Sequence, residues 1–240
     1  MSDVDQQEIA KFESMAHEWW DPSGKFKLLH QINPLRAGYA RRVLRGDEYA
    51  SLEGLKIVDI GCGGGILSEE LHDAGAEVTG LDRSEKIIGV ARAHQADSGS
   101  SVDYRVQSAQ DLAVHAPESY DVVMAMEVLE HVPDVTDFLS ACVTLLKPGG
   151  TLFFATLNRT PKAWALAIFG AENILRWLPR GTHEFDKFIK PSELSESLRA
   201  LRTPVRDVCG MRYAMLRDDW ELCADTSVNY LGYAVKAQAE

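Results

Sequence analysis

The chain has 240 residues, enough for one domain with a sizeable core, and its 45% hydrophobic and 25% charged residues are the balance of a globular protein. A formal net charge of -11 argues against nucleic acid as a partner, because phosphate neutralisation needs clustered Lys and Arg. The acidic start MSDVDQQEIAKF has no apolar run, so no signal peptide is expected, and the longest uncharged apolar stretch, residues 163–171, is far short of the roughly 20 residues of a membrane span.

In chain order, Ile9, Phe12, Met15, Ala16 and Trp19 recur at helical spacing. KIVDIG (56–61) reads as a buried strand, GILSEELHDAG as a helix closed by Gly75, and EVTGLD (77–82) as a second strand. A helix is expected from Ser84 through Ala96, then strands from Val102 and from Tyr120. Pro133-Asp134 opens a further helix, with Asp134 as its cap, that stops at KPGG (147–150), and TLFFATL follows as a fifth strand. Strands alternating with helices at this rhythm predict an α/β fold, a mostly parallel sheet with helices on both faces. Cys62, Cys142, Cys209 and Cys223 form no CxxC pair and read as reduced thiols of a cytosolic protein.

The glycine cluster at Gly61, Gly63, Gly64 and Gly65 lies where a strand gives way to a helix, so backbone N–H groups and a positive dipole end converge there. Without Cβ atoms, these positions let a ligand approach the backbone. Asp82 ends the next strand, where an acid meets ribose hydroxyls in such folds. The spacing Gly61-x-Gly63-x-Gly65 is not the G-x-G-x-x-G of a pyrophosphate site and lacks the Lys-Ser/Thr of a triphosphate loop. A nucleoside without phosphates fits better, and S-adenosylmethionine is the leading candidate.

VDIGCGGG, GLD, YDVVMAMEVLEHV and LKPGG resemble the class I S-adenosylmethionine-dependent methyltransferases. KFESMAHEWWDPSGKFKLLHQINPLR, TLNRTPKAW, PRGTHEFDKFIKP and VNYLGYAVK narrow the resemblance to the ubiquinone-biosynthesis O-methyltransferases, over nearly the whole chain. The resemblance implies a seven-stranded Rossmann-like sheet ending in an antiparallel pair, for which 202–215 and 228–235 are suited. It implies a single methyltransferase domain over 1–240, with residues 1–50 as a helical lid and 159–190 as an inserted amphipathic segment. It also implies that Gly61 holds the amino-acid part of the cofactor and Asp82 the ribose. Met126 would pack near the cofactor, Arg36 would reach it from the lid, and Ala109, Gln110 and Asp111 would fall at the adenine edge. The implied reaction is O-methylation of polyprenylated phenols or catechols, of 2-polyprenyl-6-hydroxyphenol and 3-demethylubiquinol type. Methylation of another lipid or quinone, at carbon included, and a non-catalytic cofactor-binding assembly subunit are the alternatives.

Glu127, Glu130 and His131 follow the fourth strand at i, i+3 and i+4, and a helical turn would point all three one way. Two readings stand: the trio holds a divalent cation such as magnesium against a catechol, or His131 is the general base, oriented by one Glu. A third is a plain helix start. In residues 159–180, Trp164, Ile168, Ala171, Leu175 and Leu178 share a helical face flanked by Arg159, Lys162, Arg176 and Arg180. That combination suits peripheral binding to anionic membrane lipid by a cytoplasmic enzyme, within or outside a ubiquinone-biosynthesis complex; the alternative is a helix folded onto the sheet to cover the active site.

Overall fold

The computed structural model describes residues 9–10, 12–166, 184–214, 217 and 219–238. Among the described residues eight strands form one sheet in the order β3-β2-β1-β4-β5-β8-β6-β7. β1 (Lys56–Ile60), β2 (Glu77–Asp82), β3 (Asp103–Val106), β4 (Tyr120–Met126) and β5 (Leu146–Leu157) run parallel. β8 (Asn229–Val235) is antiparallel to β5 and to β6 (Val205–Ala214), and β7 (Asp219–Cys223) pairs antiparallel with β6. The strand count is thus eight rather than the expected seven. The added strand is a short edge strand; its sequence, Asp-Trp-Glu-Leu-Cys, alternates polar and apolar residues, the pattern of a strand solvated on one side.

Among the described residues the longer helices are α1 (Lys27–Arg45), α2 (Ile66–Asp73), α3 (Glu85–Ser98), α4 (Ala109–His115), α5 (Val135–Leu145) and α6 (Pro191–Ala200). Their starts follow the sequence signals. Ser84 accepts from Ile87 N–H, Ser108 from Asp111 N–H, and Asp134 from Thr136 and Asp137 N–H, each satisfying first-turn donors. α1 ends at Gly46, which takes the left-handed conformation and returns its N–H to the Arg42 carbonyl.

Because strand side chains alternate, the central strands feed two cores. Val58, Val123 and Phe154 pack with Leu112, Leu139 and Leu194 under α4, α5 and α6. Ile57, Met124 and Phe153 pack with Ala40, Leu71 and Ile88 under α1, α2 and α3. A third cluster, Met15, Trp19, Phe26, Ile66 and Ile87, joins the N-terminal segment to the starts of α2 and α3. Among the described residues no helix is long and apolar enough to cross a membrane.

Candidate active site

β1, β2 and β4 end side by side, and their ends open into a cavity of about 1140 Å³. Gly61, Gly63, Asp82, Met126, Arg36, Glu127, Glu130 and His131, all singled out in the sequence, line it. So do Ala109, Gln110 and Asp111, at the capped start of α4.

The glycine loop also accommodates the protein's own chain. A Cβ on Gly63 would lie 2.1 Å from Trp19 Cζ2, and one on Gly64 2.3 Å from Trp19 Cδ1. The Trp19 indole therefore fills the space these glycines leave, and Gly63 also needs its positive φ of 57°. Beside it, Trp20 Nε1 donates to the Gly64 carbonyl at 2.8 Å and its ring stacks on His94 at 3.4 Å. Much of the demand for glycine comes from the protein's own N-terminal segment, a contact no local pattern announces.

Asp82 closes β2 with its carboxylate accepting from Ser84 N–H at 2.9 Å and Gly63 N–H at 3.2 Å. Burial raises its pKa, opposed by these backbone bonds. Asp59, one strand over, is 3% exposed, accepts from Ser68 Oγ at 2.6 Å, and is pushed up to about 6 by burial. Sequence reasoning passed over Asp59, although an acid inside an apolar strand was a visible signal.

Arg36 stands on the buried face of α1, where it is 5% exposed. Its Nη1 donates to Glu127 Oε2 and its Nη2 to Asn33 Oδ1 at 3.0 Å. Asn33 in turn donates to the Ile66 carbonyl at 3.2 Å and to the Glu70 carboxylate. Asn33 carried no sequence signal; its role arises from the packing of α1 on α2. Arg36 Nε and Glu127 Oε1 remain buried without hydrogen-bond partners. Such groups are costly unless a ligand completes them, so the pair fits a charged, polar cofactor end.

The turn after β4 corrects the expected geometry of the acid-base trio. Glu127 adopts φ 50°, outside any helix, and only Leu129–His131 form a short 3₁₀ turn. The three side chains therefore do not share a helical face. Glu127 is directed to Arg36, and Glu130, 4% exposed, accepts from Thr156 Oγ1 at 2.8 Å. The His131 ring meets Phe12 edge to face, centroids 5.4 Å apart. Among the described residues no three His, Cys, Asp or Glu side chains are gathered as a metal-ligand set. As arranged, the donors do not fit a cation. Cys62 is buried, and burial with Asp59 and Asp82 nearby drives its thiol pKa well up, which leaves a packed thiol rather than a nucleophile.

A sheet of this order, with a glycine loop after β1, an acid ending β2 and a cavity at the strand ends, defines a class I S-adenosylmethionine-dependent methyltransferase. A family described as "Methyltransferase domain" matches residues 58–154. The fold is shared with magnesium protoporphyrin IX methyltransferase from Synechocystis PCC 6803 crystallised with bound SAH, at TM-score 0.68 and 22% identity over 98% of this chain and 100% of that one. The chain is 52% identical over 236 residues to the ubiquinone biosynthesis O-methyltransferase of Stutzerimonas stutzeri (strain A1501), covering 98% of this chain and 99% of the relative. Its identity to the same-named enzyme of Pseudomonas putida (strain GB-1) is 52% over 96% and 97% of the two chains. The protein belongs to the ubiquinone biosynthesis O-methyltransferase family and is an S-adenosylmethionine-dependent methyltransferase.

Proposed function

We propose that this enzyme methylates a ring oxygen of polyprenylated phenols and catechols, of 2-polyprenyl-6-hydroxyphenol and 3-demethylubiquinol type, with His131 as the base. The observation that supports this reading most is that His131 lines the same cavity as the cofactor-end residues Arg36, Asp82 and Met126. When bound, S-adenosylmethionine supplies an electrophilic methyl group on sulfur. His131 takes the proton of the phenol, which raises the nucleophilicity of the oxygen. Asp82 holds the ribose, Gly61 and Arg36 the amino-acid end, and Met126 packs against the cofactor, which fixes the line of approach. Phe12 braces the His131 ring, and apolar side chains of the cavity wall, Ile9, Val132 and Leu166, accommodate the start of a prenyl chain.

The N-terminal segment serves as a lid, a reading supported by Trp19 lying on the glycine loop, by Glu13 accepting from Ser84 Oγ at 2.5 Å, and by Phe12 and Trp19 lining the cavity. A divalent cation is the part of the reading that the sequence spacing alone supports; Glu127 and Glu130 would first have to leave Arg36 and Thr156. No step here runs through one. Prenylated substrates place the enzyme at the cytoplasmic membrane surface, beside other enzymes of the pathway. Trp164 and Leu166, 48% and 52% exposed, begin the segment suited to anionic lipid, while its remainder, residues 167–183, lies outside the described residues.

The experiment is methyl transfer from labelled cofactor to a short-chain prenyl catechol. His131→Ala is expected to lower kcat at least a hundredfold with S-adenosylhomocysteine affinity unchanged, a loss typical of a missing general base. Exhaustive chelation is expected to leave turnover in place. Loss on chelation with rescue by magnesium would transfer the proton-removing role to a cation, and full activity of His131→Ala would remove His131 from the chemistry.

A further inference from the structure

On the side away from the glycine loop the cavity is walled by the β6–β7 hairpin, through Met211, Tyr213 and Trp220. β6 is antiparallel to β8, as β8 is to β5, so β6 and β5 run in the same direction. Leu157 pairs with Asn229 and Cys209 with Leu231, which puts Met211 level with Leu157, the last residue of β5. The Met211 N–H accordingly donates to Asn229 Oδ1 at 2.8 Å. Residues 212–214 therefore project past the end of β5, where the cavity opens. β7 pairs with this projection and sets Trp220 opposite Tyr213.

Trp220 brings an unmet polar group to this wall. Its indole Nε1 is shut off from solvent and has no hydrogen-bond partner among the described residues. The ring is held in place: its centroid lies 5.8 Å from that of Tyr213, and it packs on the apolar cluster beneath α1. Charged side chains that line the same part of the cavity are paired, Lys162 with Asp225 at 2.6 Å and Arg212 with Glu221 at 2.8 Å. A buried indole N–H ordinarily finds an acceptor, and leaving one unmet is costly. Indole can only donate, so whatever completes it must present an acceptor such as oxygen.

We propose that Trp220 Nε1 donates to a ring oxygen of the acceptor substrate that is not adjacent to the reacting one, and thereby sets which acceptor ring is preferred. The proposal rests on the reading of the acceptor as a polyprenylated phenol or catechol with His131 as its base. His131 follows β4 and Trp220 stands on β7, with β5, β8 and β6 between those strands in the sheet. An aromatic ring whose reacting hydroxyl meets His131 therefore turns its far side towards the hairpin. The two acceptor types differ at that place. A ring of 3-demethylubiquinol type carries a hydroxyl not adjacent to the reacting one, and a ring of 2-polyprenyl-6-hydroxyphenol type carries none. A site that hydrogen-bonds a substrate hydroxyl discriminates against the analogue lacking it, because its own polar group then stays unmet. Trp220 on this account selects the acceptor and takes no part in moving the proton.

The test compares kcat/KM, at saturating S-adenosylmethionine, for a short-chain prenyl demethylubiquinol and for its analogue with that hydroxyl replaced by hydrogen. The parent enzyme is expected to prefer the hydroxylated acceptor at least about tenfold. Trp220→Phe keeps an aromatic ring in the wall and removes the N–H, and its preference is expected to fall to within about threefold. Each preference is a ratio within one preparation, so a fraction of unfolded variant does not alter it, and the parent's own preference needs no variant. A parent that uses both acceptors equally well would overturn the proposal. So would a Trp220→Phe enzyme whose preference matches the parent's, whether or not both rates drop, and Trp220 would then be packing alone. If the parent transfers methyl to neither acceptor, the O-methylation reading itself fails, and the proposal falls with it.

Discussion

Asp59 carries a charge problem that β1 cannot avoid: its carboxyl is buried, bonded to Ser68 Oγ, and pushed up to about 6 by desolvation. Since its folded pKa exceeds the unfolded value of about 3.9, the native state binds the extra proton between the two. Stability therefore falls as pH rises through that window, and the ionised form costs on the order of 2–3 kcal/mol above it. Asp59→Asn retains an acceptor for Ser68 and never ionises. It is expected to have a higher urea midpoint than the parent at pH 7.5, with the advantage shrinking from pH 6 towards pH 4. An advantage independent of pH would show that Asp59 gains or loses by packing rather than by charge.

The N-terminal segment and the glycine loop depend on each other. Trp19 stacks on Phe26 at 4.1 Å, lies on Gly63 and Gly64, and joins Met15, Ile66 and Ile87 in one apolar cluster. Any side chain at Gly63 would collide with the indole and also strain a backbone at φ 57°. Gly63→Ala should therefore displace the segment and weaken S-adenosylhomocysteine binding about tenfold or more. Trp19→Ala combined with Gly63→Ala removes the collision while leaving the backbone strain. If the indole clash dominates, the double variant should be little worse than Trp19→Ala alone, which thermal denaturation with and without S-adenosylhomocysteine measures. Losses that simply add would mean that the two sites act independently.

At the scale of the molecule, net charge and the proposed prenylated substrate pull in opposite directions. A chain of -11 is repelled by anionic bilayers unless a basic patch is displayed locally. Two basic residues assigned to that patch are engaged within the protein, Arg159 with Glu193 and Lys162 with Asp225 at 2.6 Å. The proposed membrane attraction would then rest on Arg176 and Arg180, which lie outside the described residues. Sedimentation with liposomes should show binding that needs anionic lipid, weakens with salt and drops when both arginines become Glu. Equal binding to neutral vesicles, or none to either, would leave the segment as a cover for the substrate.

Read alone, the sequence determined the parallel sheet, the cap residues Ser84 and Asp134, β2 at Glu77–Asp82, and several of the residues that line the cavity, Asp59 not among them. These follow from periodicity, capping and turn chemistry, which act over a few neighbouring residues. The resemblance of motifs spread along the chain added the cofactor and the family. Tertiary structure alone decided the eighth strand, the occupation of the glycine loop by Trp19, and the turning of Glu127 to Arg36, 91 residues away in sequence. Each of these depends on which distant surfaces meet when the sheet closes against α1. A left-handed backbone at Glu127 is stable only because β5 supplies the Ala155 carbonyl and α1 supplies a guanidinium, and neither partner is local to it.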